Sequence, residues 1–433
     1  MSERNQIGNY VIEHKIGSGA FSCVYKAKHI TTNLNVAIKA ISKANFPFKL
    51  FLRELTIMKK IIHPFCVTLY EFFEDMVNYY LVMEYVEGRT MLDFLNSIEN
   101  NSPEYAARHF FCQIISALDY LHNTCNFIHR DLKMENIMID RFNNIRLIDF
   151  GLGNIADPQN PLFQTACGSM SYAAPELFRN EPYTTNIDIW SAGIILYGLL
   201  CGTLPFVDQN VKNLMLKIVN EPVQFPCFIK PDQRDILIHL LDKNQDSRYT
   251  IDQIKSHPWF QNYYFSDVMN RNFGVIQGFC TIDNKLNIIS ELLKKTSSYN
   301  IDEDKIKNEI NNEVFEQNSA AYRILLREMI TCKLISMYSK NKNSTKQAGS
   351  KPMPCRLSPE TVLNLYSPKK LLHRSSSPSI ELKGNIKSSG SLDLKKTMIK
   401  NRRMHSPIRI PITRQSKNGS FLISTSNMPK NNH

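Results

Sequence analysis

The sequence predicts an α+β fold of two lobes, β-rich first and α-helical second, followed by a small three-helix segment and a disordered basic tail. Residues 9–45 and 66–86 are rich in β-branched and aromatic residues, which favour strands. From about Thr90 onward, apolar residues recur at helical spacing. Beyond about Lys340 the chain is rich in Ser, Lys and Asn without periodicity, which is typical of disorder. A strand-rich part before a helix-rich part predicts two lobes with a cleft between them.

Individual elements follow the same patterns. Between the two strand regions, residues 46–62 carry apolar side chains at helical spacing and predict a helix. In the second lobe we expect helices over residues 103–122, where Pro103 suits a first turn, and over residues 188–200. The short apolar pieces "NIMID" and "IRLIDF" flank "RFNN" and predict a small hairpin.

The net charge of the chain is unevenly distributed. The 433 residues are 43% apolar, enough for at least one large core, and carry a formal charge of +12. Twenty Lys or Arg against three Asp or Glu lie in residues 332–433, so that segment holds +17 and the rest about −5 (+12 less +17). We expect weak contact of this tail with an acidic surface or anionic lipid, and no specific nucleic-acid binding. A solvated tail without a partner is the alternative.

Cysteine usage and hydropathy indicate a cytoplasmic, intracellular protein. The ten cysteines include no C-x-x-C pair, so buried free thiols fit better than disulfides or a zinc site. The first ten residues are polar, and we expect no signal peptide. The uncharged run 189–206 contains glycines and ends at Pro205, which predicts a buried core helix rather than a transmembrane segment.

The stretch "GSGAFSCV" (residues 17–24) has the spacing of a phosphate-binding glycine loop with one departure. Gly17 and Gly19 are in place, but Ser22 stands where a third glycine is expected. Alone, the pattern is equally consistent with a hairpin turn. "VAIK" then places Lys39 in an apolar strand, where an ammonium group needs an anionic partner. Glu54 in the following helix is the candidate, with two unrelated exposed charges as the alternative.

The stretch "HRDLKMEN" (129–136) brings an acid, a lysine and an amide into one short irregular segment. Asp131 could accept a hydroxyl proton, and Lys133 could neutralise developing phosphate charge. Asn136, together with Asp149 of the later "DFG", supplies the oxygen ligands that Mg²⁺ prefers.

This ordered set, completed by "APE" (174–176) and "DIWSAG" (188–193), resembles the eukaryotic serine/threonine protein kinase domain over residues 10–260. The resemblance implies a bilobal protein kinase fold that binds ATP and Mg²⁺ and phosphorylates protein Ser/Thr hydroxyls. It makes Asp131 the catalytic base and Lys133 the γ-phosphate ligand, with Lys39 on the α- and β-phosphates and held by Glu54. It makes Asn136 and Asp149 the metal ligands.

The resemblance also implies which residues enclose ATP. Met83 is the gatekeeper, Glu84 and Val86 are hinge positions, and Met138 lies beneath the adenine. The full implied set is Ile16, Gly17, Ser18, Gly19, Ala20, Phe21, Ser22, Val24, Ala37, Lys39, Met83, Glu84, Val86 and Met138.

Further motifs resemble the calcium/calmodulin-dependent kinase group, and within it the AMP-activated and microtubule-affinity-regulating kinases. They are "MEYVEG", "ACGSMSYAAPE" and "HPWF". The likeness implies phosphorylation of Thr165 by an upstream kinase, with Arg130 as the partner of the phosphate. An unmodified Thr165 is the alternative. It also implies substrate contacts from Glu135 and Ser169.

The resemblance is incomplete at two positions. Met170 stands where relatives commonly have Pro, and Thr90 stands where they often have a Glu that binds a basic substrate side chain. Residues 286–331 resemble a ubiquitin-associated-like three-helix domain, with a generic helical extension as the alternative, and we expect this C-terminal region to regulate activity. A kinase-like scaffold without activity is the alternative for the whole chain, but every metal, lysine and base position is intact.

Overall fold

The computed structural model describes residues 6–19, 21–44, 46–98, 102–151, 154–155, 170–260, 303–312 and 314–344. Its N-terminal lobe is built on one six-stranded antiparallel sheet of spatial order β1-β2-β3-β4-β6-β5. The strands are Gln6–Ile7 (β1), Tyr10–Ser18 (β2), Ser22–His29 (β3), Asn35–Ser42 (β4), Leu69–Glu74 (β5) and Asn78–Glu84 (β6).

One helix, Phe48–Lys60 (α1), packs on this sheet as the sequence predicts. It follows Pro47, whose fixed φ suits the start of a helix. Its buried face carries Phe51, Leu55 and Met58, and Phe51 stacks on Tyr79 of β6 with ring centroids 4.1 Å apart. Glu54 is buried on the same face. A carboxylate among apolar neighbours needs a cation, so the fold of this lobe already requires a partner for Glu54.

The C-terminal lobe is helical. Its α-helices are Met91–Asn96 (α2), Glu104–Asp119 (α3), Pro175–Phe178 (α4), Asn186–Cys201 (α5), Val211–Asn220 (α6), Pro231–Leu240 (α7) and Ile251–Ser256 (α8). A π-helical turn, Tyr120–Thr124, extends α3, and 3₁₀ turns cover Met134–Asn136 and Pro258–Phe260.

Helix α5 forms the centre of this lobe. It is apolar on every side, and all residues from Ile187 to Leu200 are buried. It ends at Gly202, whose φ of 75° is the left-handed conformation of a helix C-cap. The run that could have been taken for a membrane span is therefore a core helix, and no helix in the described part of the chain is both long enough and apolar enough to cross a bilayer.

Short strands lie where the two lobes meet. Gly88–Thr90 (β7), Ile137–Asp140 (β9) and Ile145–Leu147 (β10) form a three-stranded sheet, and Phe127–Ile128 (β8) pairs with Asn154–Ile155 (β11). The β9–β10 hairpin predicted from "RFNN" is present. Its turn is closed by Asp140, whose Oδ1 accepts the N–H groups of Phe142 and Asn144, both at 2.8 Å, and Asn143 adopts a positive φ.

Two further helices, Glu303–Asn311 (α9) and Gln317–Ser344 (α10), pack on the N-terminal lobe. Ile324 of α10 is buried in the same apolar cluster as Tyr10, Val36 and Tyr70 of the sheet. Helix α10 runs to Ser344, beyond the point near Lys340 where disorder is predicted. The first helix of the predicted three-helix segment lies outside the described residues, as does the tail from residue 345.

Candidate active site

Lys39 lies at the centre of the site. It sits in β4 between Val24 of β3 and Leu81 of β6. Its Nζ lies 2.6 Å from Oε1 of Glu54 and 3.7 Å from Oδ1 of Asp149. The structure therefore brings Lys39 together with Glu54, its predicted partner. It also places Asp149, predicted as a metal ligand, near the same ammonium group.

The neighbouring charges shift the pKa values of Lys39 and Asp149. Burial opposes a charged Lys39, but the carboxylates of Glu54 and Asp149 outweigh it and raise its pKa above the ordinary value. Burial also opposes a charged Asp149, yet the ammonium of Lys39 and the backbone N–H of Gly151 lower its pKa. That N–H donates to Oδ1 of Asp149 at 3.0 Å. Lys39 therefore stays cationic and Asp149 anionic at neutral pH.

Asp131, Lys133 and Asn136 form one hydrogen-bonded group in the opposite lobe. Nζ of Lys133 donates to both carboxylate oxygens of Asp131, at 2.9 and 2.7 Å. Nδ2 of Asn136 donates to Oδ2 and to the backbone oxygen of Asp131, both at 2.9 Å. The carboxylate is thus fixed in orientation, as a base that must meet an incoming hydroxyl should be.

The donor set of Asn136 and Asp149 fits a divalent cation. Because Nδ2 of Asn136 is engaged by Asp131, its Oδ1 remains the atom available to a metal. Asp149 adds an anionic carboxylate whose side chain is 46% exposed. One carboxylate and one amide oxygen suit a hard cation that takes its other ligands from water and phosphate.

Asp188 fixes the backbone of the catalytic loop and was not assigned a role from sequence. Its carboxylate accepts the backbone N–H groups of His129 at 2.8 Å and Arg130 at 2.9 Å, and Nε2 of His122 lies 2.8 Å away. Arg130 has a φ of 68°, which is strained for a residue with a side chain. The clue in the sequence is a lone acid, "DIW", at the start of an otherwise apolar helix.

The apolar surface predicted to hold adenine is assembled from several strands. Ala37 of β4 pairs with Met83 of β6, and both side chains are 7% exposed. Val24 of β3 pairs with Gly17 of β2, and Met138 lies in β9 opposite Thr90. Ile16, Ser18 and Phe21 are exposed, Val86 follows β6, and Ala20 lies outside the described residues.

The glycine loop is closed by a backbone hydrogen bond from Gly19 N–H to Ser22 O at 2.8 Å. Ser22 opens β3, where φ is negative, so a residue with a side chain fits without strain. Its hydroxyl oxygen would lie 3.1 Å from a Cβ added at Gly19. Serine in place of the third glycine is therefore compatible with the loop, and a side chain at Gly19 would require the Ser22 hydroxyl to shift.

Glu84 makes contacts that were not predicted from the sequence. They lie on the side of the residue that faces away from the predicted nucleotide surface. It is the last residue of β6 and its backbone N–H donates to Thr68 O at 2.9 Å. Its carboxylate is 9% exposed, with Oε1 accepting from Nε of Arg146 at 2.9 Å. Oε2 lies 2.7 Å from Nε of Arg327 in α10. The spacing of residues in the sequence gives no sign that Arg327, far along the chain from Glu84, contacts the hinge.

The predicted substrate contacts are only partly described. Glu135 lies beside Tyr172, whose pKa is raised by burial and then by this carboxylate. Its Oε2 is buried without a hydrogen bond from any residue that the structure describes. Thr90 caps α2: its Oγ1 accepts Asp93 N–H at 3.0 Å and its N–H donates to Asp93 Oδ2 at 3.3 Å. Thr165 and Ser169 lie outside the described residues.

The fold is the bilobal fold of a protein kinase. Its strand-rich lobe carries the Lys39–Glu54 pair and its helical lobe carries Asp131 and Asn136. Asp149 lies where the two lobes meet. Residues 10–260 match the family model of the protein kinase domain. The chain therefore belongs to the protein kinase family, as the motifs predict.

Comparison with curated proteins agrees with the predicted placement among kinases related to the AMP-activated kinase. The chain is 35% identical over 325 residues to the SNF1-related protein kinase catalytic subunit alpha KIN12 of Arabidopsis thaliana, covering 73% of this chain and 63% of that protein. It is 40% identical to serine/threonine-protein kinase SIK2 of Gallus gallus and 38% identical to SIK1 of Mus musculus. Each of these matches covers 260 residues, 59% of this chain but only 32% and 33% of the relatives.

Proposed function

We propose that the protein is an active serine/threonine protein kinase that transfers the γ-phosphate of ATP to protein hydroxyl groups. The observation that carries this proposal is the 2.6 Å ion pair between Lys39 and Glu54, formed within reach of Asp149. In this fold a lysine held in this way is placed to bind the α- and β-phosphates. Burial of Glu54 alone would account for the pair, but not for the second carboxylate, Asp149, beside the same ammonium.

The remaining roles follow from the geometry of the catalytic loop. Asp131 accepts the proton of the attacking hydroxyl, and Lys133, already bonded to Asp131, moves its ammonium to the transferring phosphate. Gly17 and Gly19 let backbone N–H groups approach the phosphates. Mg²⁺ bound by Asn136 and Asp149 would supply positive charge where negative charge develops on the phosphate oxygens. Catalysis then consists mainly of positioning and charge stabilisation.

Phosphate incorporation by the 433-residue chain tests this proposal. We expect the wild type, with Thr165 phosphorylated, to label a Ser/Thr peptide in the presence of Mg²⁺ and ATP. Lys39→Met and Asp149→Ala should both abolish labelling, because each removes a charge that positions the phosphates. Absence of labelling by the phosphorylated wild type would favour the scaffold function. Activity that survives Asp149→Ala would refute the metal site.

Activation by an upstream kinase at Thr165 is part of the same proposal. Arg130 is the residue that would pair with the phosphate, and its backbone is held by Asp188. Its guanidinium now lies over the ring of Tyr183, 5.1 Å from the centroid. A phosphate adds about −1.5 to −2 charges and would draw the guanidinium to itself. Thr165→Ala should then lower activity severely, whereas Thr184→Ala, a change at an exposed threonine of the described residues, should not.

We propose that the substrate presents a basic side chain to Glu135. Support comes from the buried Oε2 of this residue, which the described residues leave without a hydrogen bond. Thr90, which is committed to capping α2, supplies no second acid. Ser169 is proposed to line the same substrate path. Glu135→Gln should therefore raise KM for peptides with Arg near the target and leave KM for neutral peptides unchanged, since only the former lose an ion pair.

The C-terminal helices are proposed to regulate the kinase by docking on its N-terminal lobe, and the basic tail to contact an acidic surface or lipid. Phe72 N–H of β5 donates to Phe315 O at 3.4 Å, and Ile324 is buried against the sheet. With α10 docked, the Lys39–Glu54 pair is intact, so we propose that docking supports activity. Ile324→Asp should undock α10 and lower kcat/KM, whereas Glu328→Ala on the exposed face should not.

A further inference from the structure

One side chain of α10 contacts two segments that hold the nucleotide site. The guanidinium of Arg327 donates to the backbone oxygens of His63 at 3.1 Å and Pro64 at 2.8 Å, in the segment that joins α1 to β5. Its Nε lies 2.7 Å from Oε2 of Glu84. Helix α1 carries Glu54, and Glu84 ends the strand that leads into the hinge. A single residue thereby links the two segments.

These contacts extend a buried chain of alternating charges. Glu84 forms an ion pair with Arg327 on one side and a hydrogen-bonded ion pair with Arg146 on the other, and Nη2 of Arg146 lies 3.5 Å from Oδ2 of Asp140. Arg327, Glu84 and Arg146 are 3%, 9% and 1% exposed. Without Arg327, one cation would stand between two carboxylates in a site that water enters poorly, and a buried charge that loses its partner is costly.

The position of Glu84 makes this chain relevant to the nucleotide. Its side chain points to the back of the lobe, where the two arginines hold it, while its backbone continues toward Val86 along the predicted adenine edge. Met83, the preceding residue, pairs with Ala37 on the opposite, nucleotide-facing surface. Because the two arginines hold the Glu84 carboxylate, they also restrain the backbone that would contact the adenine.

We propose that Arg327 is a positioning residue for the nucleotide site: by holding Glu84 and the backbone of residues 63–64, it makes nucleotide affinity depend on docking of α10. This inference rests on the proposed function of the cleft as an ATP site and adds a residue outside the kinase domain to it. Binding of nucleotide and docking of α10 then favour each other, since a coupling free energy between two sites is reciprocal.

The chain offers a matched control on the same helix. Arg323 lies one turn before Arg327, and its guanidinium donates to Tyr70 O at 3.2 Å and to Val314 O at 2.9 Å. It also lies 3.6 Å from the centroid of the Phe315 ring. Through Tyr70 O of β5, Arg323 thus makes a docking contact of the same chemical kind without touching the hinge. Replacing each arginine by Met separates a general loss of docking from a specific loss of hinge contact.

The experiment is titration of the 433-residue chain with MgADP, which needs no phosphotransfer. We expect Arg327→Met to raise the Kd about five- to tenfold, and Arg323→Met to change it less than about twofold. Glu84→Gln should also raise the Kd, and adding Arg327→Met to it should have little further effect, because the two residues act through one contact. In turnover, Arg327→Met should raise KM for ATP while kcat changes less.

A conservative variant keeps the test decisive where Arg327→Met folds poorly. Arg327→Lys retains a charge for Glu84 but loses the planar fork that reaches both carbonyl groups, so its Kd should lie between wild type and Arg327→Met. Equal Kd values for Arg327→Met and Arg323→Met, or wild-type affinity in both Arg327 variants, would overturn the proposal. A wild type that binds no nucleotide would instead refute the proposed function, so the two failures are distinct.

Discussion

Lys39 and Glu54 are joined by a 2.6 Å ion pair although they belong to different elements, strand β4 and helix α1. The side chain of Glu54 is 3% exposed and that of Lys39 is 19% exposed. The ion pair can therefore form only when α1 lies close against the sheet. Asp149 lies 3.7 Å from the same ammonium. Helix α1 and the second lobe therefore each place a carboxylate next to the lysine of the sheet.

Removing the charge of Glu54 should reduce catalysis more than stability. Glu54→Gln keeps the size of the side chain but leaves Lys39 with only Asp149, so we expect kcat/KM to fall roughly 10²-fold or more, because misplacing a phosphate ligand weakens transition-state stabilisation. Steady-state kinetics measure this loss. Glu74→Gln is the matched control, because Glu74 forms an exposed pair with Lys43 at 2.7 Å. Equal losses in both variants would show that the buried pair has no special role.

Replacing Asp188 should release the strained catalytic loop. Asp188→Asn exchanges one acceptor oxygen for a donor, so one of the N–H groups of His129 and Arg130 loses its partner. We expect a loss of about 1–3 kcal/mol in the free energy of unfolding, together with a drop in kcat. Chemical denaturation and kinetics test both. Asp252→Asn, an exposed change in the first turn of α8, should alter neither, and an unchanged kcat for Asp188→Asn would contradict this role.

The serine of the glycine loop should be nearly neutral. Ser22 already has the negative φ of a strand residue, and the Gly19-to-Ser22 hydrogen bond uses backbone atoms only. Ser22→Gly should therefore change KM for ATP by less than about threefold, with added loop entropy as the main effect. Gly19→Val is the contrasting variant, since a side chain there would crowd the Ser22 hydroxyl. A hundredfold loss of activity in Ser22→Gly would reveal a role for the hydroxyl that we have not assigned.

Stability should depend on pH through Glu71 of β5. Burial raises the pKa of Glu71 to about 7, while the hydroxyl of Tyr10, which donates to its carboxylate, opposes the shift; of the groups in the C-terminal segment, Glu309 of α9 and Glu316, just before α10, raise this pKa and Arg323 of α10 lowers it. Between pH 4.5 and about 7, the Glu71 carboxyl group therefore keeps its proton in the folded chain, whereas it has already lost that proton in the unfolded chain. The resulting stability is fully present below about pH 4.5 and is lost as the pH rises through about 7.

A pair of variants isolates this contribution from other titrating groups. Between pH 5 and pH 8, the wild type should lose on the order of 1–3 kcal/mol more unfolding free energy than Glu71→Gln, which cannot ionise. Glu74→Gln, an exposed change in the same strand, should follow the wild type. Thermal or chemical unfolding across this range gives the comparison. Parallel pH profiles for wild type and Glu71→Gln would contradict the assignment.

Much of the fold and of the central site can be predicted from the sequence, because it depends on residue patterns within single strands, helices and short segments. Strand and helix periodicity places Lys39 in β4 and Glu54 on the buried face of α1, and burial of opposite charges then requires them to meet. The hydrogen-bonded group of Asp131, Lys133 and Asn136 is equally predictable, since all three lie within one short segment.

Contacts between distant segments could not be predicted in the same way. Asp188 and His129 are bonded through the packing of α5 beneath the catalytic loop, and no periodicity specifies that pairing. The contact between Arg327 and Glu84 depends on where α10 docks, which is decided by the shape of the lobe and by the burial of Ile324. Such pairings come from tertiary packing, so they become visible only with the structure.

γ-Phosphate transfer from ATP to a Ser/Thr peptide library, with the 433-residue chain phosphorylated at Thr165, tests whether the protein is a serine/threonine kinase. The geometry predicts labelled serine or threonine for the wild type and a loss of at least about 10³-fold for Asp131→Asn, which keeps the shape of the catalytic loop but removes the base. Asp252→Asn should label as the wild type does. Labelling confined to tyrosine, or equal labelling by Asp131→Asn and wild type, would contradict the assignment.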